Sequence, residues 1–221
     1  MAKEKLLKNK KILITGGPVW VPIDKVRVLT NIFGGSLGLK IATEAAKMGG
    51  RVVFLLGPSK IDIPRKIQKN LKIVRFKYFD EILKLMEKEI LDNCDVVIHS
   101  AAIPDYIPKK IYDGKIKSGK KELIINFKPT IKIVDLIKKW NSSVFLVKFK
   151  LEIGLTQNQL IDIAYKSMLS SNADLIIAND LRNMCKNKYK GFIIDQNKKI
   201  ESFSQKEKLA KKLLKIIREN L

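Results

Sequence analysis

Six short apolar runs, at residues 11 to 15, 51 to 56, 71 to 76, 95 to 100, 144 to 149 and 174 to 178, are separated mostly by stretches with helical spacing. Neighbouring parallel strands need a crossover about as long as a helix. The alternation therefore predicts an α/β chain, a three-layer Rossmann-like fold with a mainly parallel sheet. Leu37, Ile41, Ala45 and Met48 recur at helical spacing until Gly49-Gly50, and Ile82, Leu83, Met86 and Ile90 repeat the pattern. Further helices are expected near 129 to 140 and 156 to 171. A last, amphipathic helix is expected from about 204 to 218, with Leu209, Leu213, Ile216 and Ile217 on one face. Residues 191 to 195 and 199 to 203 flank the turn-like Gln196-Asn197-Lys198 and predict a C-terminal edge hairpin. Residues 103 to 121 carry two prolines, two glycines and a dense lysine cluster, which predicts a mobile loop in place of a helix.

At 221 residues and 46% hydrophobic, the chain can bury one substantial core, so a single domain over 1–221 is expected. No apolar window approaches the roughly 20 residues of a membrane span, and the lysine-rich amino terminus lacks an apolar signal segment. Cys94 and Cys185 have neither metal-ligand spacing nor a disulfide framework. These features predict a soluble, reduced, cytoplasmic protein with no membrane partner. The net charge of +22 is nearly all lysine, scattered over helix faces and turns. No recognition helix, zinc finger or aromatic RNA-binding signature accompanies it, so the reading is a solvated surface that draws in anionic metabolites, with no nucleic-acid partner.

The segment from Thr15 to Gly38 carries the most chemistry. About twenty residues part the first strand from the first helix, where such loops usually take about 2–6, and a long loop at the carboxyl end of a strand usually has a function. Gly16 and Gly17 let backbone N–H groups approach a phosphate, and Asp24, Arg27, Thr30 and Asn31 precede Gly34-Gly35. A dinucleotide fingerprint must turn tightly from strand to helix, and Leu55-Leu56-Gly57-Pro58 stands where a ribose-binding acid belongs. An NAD(P)-binding Rossmann oxidoreductase is thus the weaker alternative, and a basic binding protein without turnover a second. The fourth run leads into Ala101-Ala102-Ile103-Pro104-Asp105-Tyr106 and the sixth into Asn179-Asp180. His99 reads as a hydrogen-bonded core residue, and Asp24 with Arg27 as either a bracing ion pair or a substrate contact.

Several pieces, in order, resemble the phosphopantothenoylcysteine synthetase family of coenzyme A biosynthesis: Pro22-Ile23-Asp24-Lys25-Val26-Arg27 with Thr30-Asn31 and Gly35-Ser36-Leu37-Gly38; Ala101 to Tyr106; Lys115-Ile116-Lys117; Lys128-Pro129; Phe149-Lys150-Leu151-Glu152; and Ala173 to Asp180. With no flavin-binding domain before residue 1, the likeness is to the stand-alone form, and no flavin is expected. The resemblance implies a homodimeric ligase that joins 4′-phosphopantothenate to L-cysteine through an acyl-nucleotidylate, using CTP or ATP as nucleoside triphosphate and Mg²⁺. It implies Asn31 and Lys115 as catalytic residues, and His99, Ser100, Ala101, Asp105, Lys115, Pro129 and Phe149 at the nucleotide. Substrate contacts fall to Gly16, Gly17, Arg27, Asn31, Gly35 and Asn179. The chain departs from the family at Phe33-Gly34, where two hydroxyls are common, and at Ser167 and Ser171, where bifunctional bacterial members place triphosphate-binding lysines.

Overall fold

The structure is a computed structural model that describes residues 6–64, 66, 68–185 and 188–221; the Cys185 side chain lies outside the described residues. In chain order it runs β1 (Lys11–Gly16), β2 (Val21–Pro22), β3 (Val28–Leu29), α1 (Ser36–Lys47), β4 (Arg51–Leu56), β5 (Leu71–Arg75), α2 (Phe79–Leu91), β6 (Val96–His99), β7 (Tyr106–Pro108), β8 (Phe127–Pro129), α3 (Val134–Trp140), β9 (Phe145–Glu152), α4 (Gln157–Ser170), β10 (Leu175–Cys185), β11 (Lys188–Asp195), β12 (Ile200–Phe203) and α5 (Lys206–Glu219). Eight strands form one sheet in the order β12-β11-β10-β9-β6-β1-β4-β5. The six strands predicted from the apolar runs are its parallel part. β1 is buried along its whole length, as a strand covered on both faces must be. Because side chains alternate across the sheet, Ile12 and Ile14 join Phe54, Ile98, Val147 and Ile177 beneath α1 and α5, while Leu13 joins Leu55, Val97, Leu146 and Ile176 beneath α2, α3 and α4.

The topology fixes where a ligand can sit. The chain leaves β1 for β4 on one side and later places β6 on the other, so strand order reverses between β1 and β6. At such a point the two exit loops diverge and open a crevice at the carboxyl ends of the strands.

Departures from the expected pattern lie in loops and at the edge. Residues 196 to 198 do turn between β11 and β12, with the Asp195 carboxylate accepting from Asn197 N at 3.0 Å and Lys199 N at 2.9 Å. β10 and β11 both run longer than expected and pair antiparallel, so the edge is a three-stranded meander. The helix expected from 129 begins only at Val134. Pro129 and the extended conformation it favours at Lys128 place residues 127 to 129 on β8, paired with β7. The 103 to 121 segment contains no helix, but it contributes β7 and is tied to the first loop: Tyr112 N donates to Ile23 O at 3.0 Å and Lys25 N to Gly114 O at 3.2 Å.

Candidate functional site

The loops leaving β1 and β6 are sewn together at the reversal. Ser100 Oγ donates to Thr15 O at 2.6 Å, Ala101 N to Thr15 Oγ1 at 3.1 Å, and Ala102 N to Gly17 O at 3.0 Å. The next link reaches across the crevice: Asn31 Nδ2 donates to Ala102 O at 3.1 Å. That bond uses one amide hydrogen and leaves the carboxamide oxygen to accept from a ligand.

Glycine makes the floor. Gly17 has φ 81° and Gly35 φ 83°, and a Cβ built on Gly35 would lie 2.5 Å from Gly17 N. Only two glycines can pass that closely with left-handed backbones. Gly35 also precedes α1 without a side-chain cap, and the first turn of α1 holds no acidic residue, so its early N–H groups remain available to an anion.

The resulting cavity of about 530 Å³ includes Gly17, Asn31, Gly35, Ser100, Ala101, Asp105, Phe149 and Asn179 in its lining. These eight residues named from sequence, scattered from position 17 to position 179, are thus brought together. Asp105 is the one carboxylate in that lining among the described residues. The wall also includes Ser36 and Lys150, which belong to quoted motifs without an assigned role, and Met184, Tyr189 and Lys206, which sequence reasoning did not single out. Lys206 had no distinguishing signal there, being one lysine among several at the start of an amphipathic helix. A second cavity, of about 610 Å³, borders Thr156, Lys190, Lys208 and Lys212; it lies outside the sewn loops, and its Asp180 is paired with Arg182 at 2.8 Å.

Five named residues stand outside the lining. Gly16 ends β1, where a Cβ would lie 2.9 Å from the Phe54 ring, so its smallness serves packing. His99 is buried with Nδ1 3.0 Å from Thr15 Oγ1, and burial pushes it down to about 4, which keeps it neutral. Pro129 is exposed on β8, next to Thr130, whose N donates to Asp105 O at 2.9 Å. Arg27 takes the bracing role: Nε lies 3.0 Å from Asp24 Oδ2 and Nη2 donates to Ile116 O at 2.7 Å. Asp24 also accepts from Ile116 N at 3.0 Å, Val26 N at 2.8 Å and Arg27 N at 2.7 Å, and these bonds, Ile116 foremost, hold its carboxyl down to about 2. Lys115 is exposed, one residue before this buried anchor.

Ser167 and Ser171 serve a buried cation. Buried Lys148 donates to Ser167 O at 2.7 Å and Ser171 Oγ at 2.9 Å, and burial pushes its ammonium down to about 8. Strand β9 therefore puts a cation against α4 where the helix itself carries hydroxyls.

Comparison with known proteins agrees with this architecture. The coenzyme A biosynthesis bifunctional protein CoaBC of Thermococcus kodakarensis is 35% identical over 179 residues, covering 80% of this chain and 43% of that protein. The chain spans about half the length of the curated relatives it matches. A crystal structure of the DNA/pantothenate metabolism flavoprotein from Streptococcus pneumoniae superposes with a TM-score of 0.87 at 30% identity, covering 96% of this chain and all of that one. A Cab2 H337A mutant in complex with phosphopantothenate-cysteine shares the fold, with a TM-score of 0.77 at 20% identity, covering 96% of this chain and 87% of that one. The model of the DNA/pantothenate metabolism flavoprotein C-terminal domain matches residues 7–221, and the chain belongs to that family.

Proposed function

We propose that the chain is a phosphopantothenate–cysteine ligase of coenzyme A biosynthesis. The observation that carries this reading is the Asn31–Ala102 bond across the β1/β6 crevice. It puts a neutral donor–acceptor side chain between a glycine-floored anion cradle on one loop and the Ala101 to Asp105 loop on the other. In the first step a carboxylate oxygen of 4′-phosphopantothenate attacks the α-phosphorus of a nucleoside triphosphate; the α–β phosphoanhydride bond breaks and pyrophosphate leaves. In the second, the cysteine amine attacks the acyl carbon, the nucleoside monophosphate departs with the bonding pair, and the amine loses a proton. Phosphoryl displacement is accelerated mainly by positioning and by cations that offset developing charge.

In this reading Phe149 flanks the base and Ser100 and Ala101 offer it backbone groups, while Asp105 belongs to the nucleotide side. Lys115 supplies a cation to the triphosphate when its loop closes over the crevice. Asn31 contacts the acyl-nucleotidylate, and Asn179 and the α1 amino terminus hold the acyl substrate. Mg²⁺ fits the donor set as a nucleotide-borne ion. No group of three potential ligands occurs among the described residues, and Mg²⁺ commonly uses one or two carboxylates plus substrate phosphates, a role open to Asp105. The bound ion would neutralise phosphate charge. A homodimer belongs to the same proposal: Val26 in the loop after β1 and Ile111 and Ile124 between β7 and β8 are exposed apolar side chains that a second copy would cover.

The test is pyrophosphate release with Mg²⁺, 4′-phosphopantothenate and cysteine, run with CTP and ATP in parallel. Release with one nucleotide supports the ligase and names its cosubstrate; folded protein that releases none with either overturns it.

A further inference from the structure

Lys206 opens α5, 170 positions after Ser36, yet it lines the same cavity. Its Nζ lies 2.9 Å from Ser36 Oγ, on the first residue of α1, and 5.3 Å from the centroid of the Tyr189 ring. The neighbouring carboxylate is engaged elsewhere, since Glu207 pairs with Lys40 at 2.6 Å. Among the described residues no ion pair includes Lys206. Burial, followed by the Lys40 charge, pushes its ammonium below the usual lysine range. A partly buried ammonium held by a hydroxyl and a ring face, its neighbouring carboxylate turned to Lys40, has its desolvation cost only partly offset, and a ligand anion is the group that would complete the offset.

We propose that Lys206 reads the terminal phosphate of the acyl substrate and so selects 4′-phosphopantothenate over unphosphorylated pantothenate. This rests on the ligase reading and assigns one end of its site. A phosphate monoester dianion suits the ammonium together with the Ser36 hydroxyl and the uncapped N–H groups behind Gly35. Position separates this anion from the nucleotide. The Ala101 to Asp105 loop follows β6, whereas Lys206 stands over Tyr189 of β11, which pairs with β10 at Met184. β9 and β10 lie between β6 and β11, so those two strands are three spacings, about 14 Å, apart in the sheet. Phosphopantothenate has about nine bonds between carboxyl carbon and phosphorus, roughly 11 Å when extended at ordinary bond lengths. Asn31, Ala102 and Lys206 line one cavity, and the flexible lysine side chain leans from the Tyr189 ring of β11 toward Ser36, so one extended acyl substrate has its carboxylate end toward Asn31 and its phosphate end toward Lys206.

The experiment is calorimetric titration of the wild type and of Lys206→Met, Lys206→Arg and Ser36→Ala with 4′-phosphopantothenate, pantothenate and CTP or ATP, with thermal unfolding to verify each fold. Lys206→Met is expected to lose at least tenfold in affinity for 4′-phosphopantothenate with pantothenate and nucleotide unchanged. Lys206→Arg should retain most of the preference, and Ser36→Ala should lose a fewfold. Equal weakening of both acyl compounds, weakening of the nucleotide alone, or no change would overturn the assignment. Wild-type protein that binds neither acyl compound would overturn the ligase reading itself, and with it this assignment.

Discussion

Asp24 Oδ2 and the amide of Ile116 meet at 3.0 Å across 92 positions of sequence. This bond anchors the lysine-bearing loop to the loop after β1, and Arg27 completes the clasp by donating to Ile116 O at 2.7 Å. A carboxylate that accepts three backbone amides is doing a backbone's work with a side chain. Asp24→Asn replaces one acceptor oxygen with a donor, so it should open the clasp. Amide exchange measured by mass spectrometry should accelerate over residues 112 to 117, and pyrophosphate release should fall about tenfold or more. Unaltered exchange there would show that the clasp does not hold the loop.

Asn31 and Lys115 separate the chemical steps in the proposed mechanism. Asn31→Asp sets a negative charge beside the phosphate of the acyl-nucleotidylate, and like charges repel strongly in a partly desolvated crevice. Turnover should drop on the order of a hundredfold. Lys115→Gln should block formation of the intermediate, seen as loss of burst-phase pyrophosphate in rapid quench. Wild-type rates in both variants would place the chemistry elsewhere.

Gly35→Ala tests the floor. Its φ of 83° disfavours a Cβ, which would also lie 2.5 Å from Gly17 N. Urea unfolding should show a loss of about 1–3 kcal/mol, and phosphopantothenate affinity should fall with it. An unchanged midpoint would mean that the two loops separate without penalty.

His99 makes stability depend on pH. Burial lowers its folded value to about 4, below the ordinary 6.5, so the unfolded chain binds the extra proton between those values. The stabilisation is complete above pH 6.5 and is lost as pH falls toward 4, by on the order of 3 kcal/mol. In His99→Gln that part of the acid slope should vanish when denaturant midpoints are compared from pH 4 to 7. An identical slope in both proteins would assign it to other groups.

The parallel sheet was legible because its strands are buried on both faces and read as apolar runs, β1 most plainly. The end of β6, Ala101 and Asp105, and the loop with Asn31 were legible as departures from plain connectors. What stayed hidden depends on contacts distant in sequence. The helix expected near 129 begins only at Val134, because Pro129 is held in a strand by Tyr106. Ile116 lies among lysines in a segment that reads as a loop, and it is buried beside Asp24 and Arg27, which are distant in sequence. Lys206 and Lys148 were indistinguishable from surface lysines, since only the fold shows that one faces a cavity and the other a helix end.

One cavity wall begins at Gly17 and is closed by Lys206. During synthesis the glycine floor, Asn31 and the clasp residues all emerge long before the final helix can dock. Until residue 206 has left the ribosome and α5 has packed on α1, the crevice lacks a wall, so a nascent or carboxyl-truncated chain would bind its anionic ligands poorly, however much of the sheet has already formed.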